Sequence, residues 1–158
     1  MSDKRNSIAN ITLDERSVVR RSPEVEHERQ VAIYDLLEAN HFVPDGGHAG
    51  PYHLALSIEE TRLIFDIRSE ADEKLATQAI SLVPFRKIIK DYFLVCESYF
   101  SAIKTASPSQ IEAIDMGRRG LHNEGADLLT EQLAGKIEID DNTARRLFTL
   151  ICVLHFRG

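Results

Sequence analysis

Between positions 115 and 125 the chain reads Asp115-Met116-Gly117-Arg118-Arg119-Gly120-Leu121-His122-Asn123-Glu124-Gly125, the stretch whose residue types most invite chemistry. On a helix, Asp115, Arg118, Arg119 and His122 share one stripe through three- and four-residue spacings, while Gly117, Leu121 and Gly125 share another. Two guanidiniums and an imidazole so placed can hold a phosphate or carboxylate, with Asp115 or Glu124 orienting His122 as acid or base. His122 and Glu124 are therefore the candidate catalytic residues, and Asp115, Arg118 and Arg119 candidate ligand-binding residues. The competing reading is a solvated stripe of ion pairs over a glycine-smoothed packing face. Glycine costs a helix about 1 kcal/mol relative to alanine. Gly117, Gly120 and Gly125 therefore require either a neighbour packed on bare backbone or a break into a loop.

Arg145 and Arg146 complete the ligand-binding candidates. They fall in the first turns of the last helical segment, where cations oppose the helix dipole. Pairing with Asp140 or Asp141 is the ordinary expectation. The sharper one has them facing Arg118 and Arg119 across an anion pocket. His41, His48 and His53 cluster beside Asp45 but match no zinc-ligand spacing, so no metal is expected. His27, between Glu26 and Glu28, reads as a surface residue. No nucleophile motif or phosphate-binding loop occurs, and the residues leave any cofactor unknown.

These side chains need elements to position them. Ile8, Ala9, Ile11 and Leu13 read as an opening strand. Ser22-Pro23-Glu24 starts a helix, with Ser22 as cap and Pro23 in the first position, running to about Asn40. Pro44-Asp45-Gly46-Gly47 opens a loop. The period then becomes two: Tyr52, Leu54 and Leu56, then Leu63, Phe65 and Ile67, form a hairpin, and Leu75 to Leu82 makes a third strand. Phe85, Ile88, Ile89, Tyr92, Phe93, Cys96, Tyr99, Phe100 and Ile103 form a wide apolar helical stripe. Ser107-Pro108-Ser109-Gln110 fits a capping box for a helix stopping near Gly135. Asp140 or Asp141 caps a last helix, apolar nearly all round from Leu147 to Phe156 and therefore buried. Strands followed by helices predict an α+β fold: an antiparallel meander with one face covered by about four helices. A single domain is expected, with the N-terminal helix and meander over 1–82 and the helical layer over 83–158.

The 158 residues carry 19 Lys+Arg against 25 Asp+Glu, a net charge of −6 that disfavours broad nucleic-acid binding. With 43% apolar and 28% charged residues, the chain lies far from disordered compositions. Its longest apolar runs, Tyr92–Cys96 and Leu150–Leu154, fall well short of the about 20 residues that span a bilayer. No secretory leader is visible, and Cys96 and Cys152 sit in apolar helical patterns as reduced core residues. A cytoplasmic location is expected.

The runs Gln110–Gly125 and Thr143–His155, with Ser22–Arg29 and Pro84–Phe93, resemble the bacterial uncharacterised protein family zero-two-six-two over most of the chain. The resemblance implies a cytoplasmic bacterial protein and no known activity. It does not extend to His41, His48 and His53. The leading expectation is a ligand- or partner-binding regulatory domain, with a homodimer and a small anionic ligand as its partners. That expectation includes an exposed apolar patch and no deep polar pocket. The alternatives are a small enzyme acting on a phosphorylated or carboxylated metabolite through Arg118, Arg119, His122 and Glu124, and a phosphorelay hairpin with His122 as acceptor.

Overall fold

The computed structural model describes residues 4–14 and 23–155. The expected Ser22 cap and Phe156 lie outside them. The elements run β1 (Ile8–Leu13), α1 (Pro23–Glu38), β2 (Phe42–Pro44), β3 (Tyr52–Glu59), β4 (Arg62–Ser69), β5 (Lys74–Ser81), α2 (Arg86–Thr105), α3 (Pro108–Gln132), β6 (Ile137–Ile139) and α4 (Asp141–His155). This is an α+β fold.

The period-two pattern does what it implies. Tyr52, Leu54 and Leu56 of β3 and Leu63, Phe65 and Ile67 of β4 are fully buried toward the helices, while alternate residues are half-buried on the other face. Strands β3, β4 and β5 pair antiparallel as the expected meander. The sheet is nevertheless mixed, because β1 joins it parallel to β3, giving the order β1-β3-β4-β5. A parallel pair cannot be closed by a tight turn and needs a crossover, and α1 supplies it. Strands β2 and β6 form a separate antiparallel pair.

At the edge of the sheet, Asn40 is buried just beyond α1. Its Oδ1 accepts from the Ile8 amide at 2.7 Å, and its Nδ2 donates to the Ile8 carbonyl at 3.0 Å and the Leu36 carbonyl at 2.8 Å. One side chain thus fixes the end of α1 against the start of β1.

The capping box forms as read: Ser107 Oγ accepts from the Gln110 amide, and Gln110 Oε1 accepts from the Ser107 amide at 3.0 Å. The helix it starts is unbroken through all three glycines. Only Gly125 meets a neighbour, the ring of Phe148 on α4. Around Gly117 and Gly120 there is open space. These two are therefore uncompensated, and Gly117→Ala and Gly120→Ala should each stabilise the chain by about 1 kcal/mol. Thermal unfolding should show each Tm raised by roughly 2–4 °C; a lowered Tm would mean that another surface packs on this face.

Helix α4 has nine buried residues, from Thr143 to Leu154, which makes it the centre of the helical layer. Helices α1 and α3 both pack on it but barely on each other, and α2 packs on α3. Two helices held apart on a third leave a groove between them.

Candidate active and binding groove between α1, α3 and α4

The groove encloses about 980 Å³, within the range of small-molecule sites. Arg118, Arg119, His122 and Asn123 line it from α3, and Asn142, Arg145, Arg146 and Thr149 from α4. Helix α1 contributes Glu24, His27, Glu28, Val31, Ala32 and Asp35, and α2 adds Tyr92, Tyr99 and Phe100. All four candidate arginines and His122 therefore meet in one hollow. The hollow is a half-open groove with a largely apolar lining, formed because α1 and α3 splay apart over α4. The large exposed apolar side chains are instead spread over several elements, with Val31, Tyr34 and Leu37 on α1 and Leu94, Ile103 and Met116 on α2 and α3.

The four arginines are not equivalent. Asp115 Oδ1 accepts from Arg118 at 2.8 Å, and Asp115 Oδ2 pairs with Arg119 at 2.5 Å. Hydrogen bonding to Arg118 holds the Asp115 carboxyl below its ordinary range. Arg118 also reaches across the groove to Glu28 of α1 at 3.5 Å and lies 4.6 Å over the Tyr99 ring. It is a neutralised strut between α1 and α3. Burial pushes Glu28 above its ordinary pKa, with Arg118 opposing the shift. On α4 the situation is reversed. Arg145 donates to Asn123 Oδ1 at 2.9 Å and to Asn142 Oδ1 at 2.8 Å, both neutral amides. The Arg146 side chain makes no hydrogen bond or ion pair among the described residues. The expected pairing with Asp140 or Asp141 does not occur; Asp140 accepts from the Thr143 amide at 2.8 Å and caps α4.

His122 is oriented by neither expected carboxylate. Asp115 is committed to the two arginines, and Glu124 is exposed and does not line the groove. The partner is Thr149, whose Oγ1 lies 2.7 Å from His122 Nε2 and 3.2 Å from the Arg145 carbonyl. A hydroxyl that donates its one proton to the carbonyl accepts from Nε2–H, leaving Nδ1 as the basic nitrogen. The ring packs against Tyr92 and Phe148, with centroids 5.6 Å away in both cases. Burial, with Arg118 and Arg145 nearby, drives His122 down to about 4, so it is neutral at pH 7.

Other candidate groups lie apart. His41 Nε2 is 2.6 Å from Glu138 Oε2, His48 is in the exposed loop after β2, and His53 is on β3. No group of three His, Cys, Asp or Glu suited to a metal occurs among the described residues. Cys96 and Cys152 are free and buried, and burial raises both thiols, Cys96 to about 11. Protonated, they are poor nucleophiles.

Glu28, Thr149, Asn123 and Asn142 went unread in the sequence. A weak signal existed for the first: Glu24, Glu28 and Asp35 share a helical face with the buried Ala32, a polar row where a simple core-facing stripe would be apolar.

The whole arrangement falls within a single family match: residues 5–157 fit the model of the Uncharacterised protein family (UPF0262). The chain belongs to that family. A UPF0262 protein of Paramagnetospirillum magneticum is 62% identical over 154 residues, covering 98% of both chains. Another, from Rhodospirillum rubrum, is 64% identical over 151 residues, covering 96% of this chain and 93% of the relative. A third, from Rhodopseudomonas palustris, is 58% identical over 156 residues, covering 99% and 96%. No solved structure matches. UPF0262 thus brings bacterial relatives and no activity, and the groove itself must supply any functional reading. No helix among the described residues is long and apolar enough to cross a membrane.

Proposed function

We propose that the chain is a cytoplasmic binding domain whose groove holds a small carboxylated or phosphorylated metabolite. The observation that carries this reading is the pair Arg145 and Arg146, lining a hollow of about 980 Å³ with no carboxylate partner among the described residues. Guanidiniums that face a concavity and are tied up in no ion pair favour an anion, and Asn123 and Asn142 hold one of them ready at little conformational cost. Two buried free thiols support a reducing compartment.

Binding fits better than catalysis. The Nε2 of a neutral His122 is engaged by Thr149, Glu124 is outside the groove, and Glu28, the buried carboxyl within it, is paired with Arg118 and not with the imidazole. The phosphorelay reading requires a donor protein to reach a ring enclosed between Tyr92 and Phe148, and no observation favours it.

Titration calorimetry with dicarboxylates, sugar phosphates and nucleoside monophosphates tests the proposal. At least one should bind, and Arg145→Ala and Arg146→Ala should each weaken it about 10- to 100-fold, the usual worth of a charge-assisted hydrogen bond. Folded variants that bind as tightly as the parent would refute the assignment.

A further inference from the structure

The two ends of the groove differ in charge, and this narrows the ligand. Helices α1 and α4 run antiparallel, since the His41 amide beyond α1 donates to Thr143 at the start of α4 at 2.9 Å. Arg145 and Arg146 therefore lie at the Asp35 end, two guanidiniums against one carboxylate with no ion pair between them, and the Glu28–Arg118 strut lies toward Pro23. At the strut end, Arg118 is held by Asp115 and Glu28, Arg119 is held by Asp115, and Glu24 adds a further negative charge. No uncommitted arginine or lysine is left there among the described residues. Between the ends the wall is Val31, Ala32 and Tyr92, with the neutral His122–Thr149 pair opposite, and Val31 is 42% exposed. From Pro23 to Asp35 the helix advances about 18 Å at its ordinary rise, far longer than a bare phosphate.

Resting on the binding reading above, we infer that the ligand is an amphipathic monoacid: one carboxylate or phosphate head on Arg145 and Arg146, with an apolar body along Val31, Ala32 and Tyr92 toward the strut. A second acid group on the body would meet Glu24 and Glu28 and lose rather than gain.

The test is calorimetry on the full chain with acetate, butyrate, hexanoate and octanoate, with inorganic phosphate and hexyl phosphate as the second head, and with suberate as the diacid matched to octanoate. A fully buried methylene is worth about fourfold in affinity. In this half-open groove octanoate should exceed acetate at least tenfold, and one of the two heads should lead its series. Suberate should fall back at least tenfold from octanoate. Val31→Ser, which adds no charge, should cut the gain from the body, read as a smaller ratio of octanoate to acetate affinity. Flat affinities along a series that still depends on Arg145 would overturn the monoacid inference and leave the binding reading standing, as would suberate binding more tightly than octanoate. If no probe or metabolite binds, both fall.

Discussion

Phe148→Ala should destabilise the chain by about 3–5 kcal/mol, the cost of emptying a buried aromatic site. Phe148 is fully buried, and its ring meets two other helices at three points: its centroid lies 5.9 Å from that of Tyr92 on α2 and 5.6 Å from His122 on α3, and its edge fills the space a side chain would need at Gly125, also on α3. A Cβ at Gly125 would fall 2.3 Å from two Phe148 ring atoms, so Gly125→Ala should cost about 1–3 kcal/mol despite alanine's better helix propensity. The two losses share one volume and should not add. Chemical denaturation of Phe148→Ala, Gly125→Ala and the double variant should show the pair less destabilised than the sum of the singles. Strict additivity would mean that Gly125 is required for some reason other than this ring.

Acidification should remove about 3 kcal/mol of stability through His122 alone. The folded imidazole titrates near 4 and the unfolded one near 6.5, so between those values the unfolded chain binds more protons and stability rises with pH. The contribution is complete above 6.5 and is lost as pH falls toward 4. Glu28, raised by burial, acts in the opposite sense, because its folded form holds a proton that the unfolded one has released. The total curve mixes both, and the difference between parent and His122→Gln isolates the histidine. Urea unfolding from pH 7 to 4 should give the variant a flatter profile by most of that amount, whereas parallel profiles would show that the ring is not held neutral in the folded state.

How far these features could be read beforehand depended on whether their cause was local. The capping box at Ser107 and the alternation through Tyr52–Ile67 are short-range patterns, and both elements stand where they were expected. The direction in which β1 pairs is not encoded in Ile8–Leu13 itself but in the crossover through α1. Strands Phe42–Pro44 and Ile137–Ile139 are too short for any period to show, and their partners are nearly a hundred residues apart. The same division runs through the groove. Arg118, Arg119 and His122 lie on one helix face and were visible together, but the partners Glu28 of Arg118 and Asn123 of Arg145 are brought near only by the packing of α1 and α4 around α3. Thr149 as the partner of His122 likewise follows from how α3 crosses α4.

The Asn40 amide has a further effect on how molecules of this chain meet. By occupying both the N–H and the C=O of Ile8, it stands in for a neighbouring strand on the outer side of β1. An exposed strand margin recruits other chains through its vacant hydrogen-bonding groups. Here the first rung of that ladder is taken by a side chain too short to extend it, so self-association by strand addition is discouraged where β1 begins.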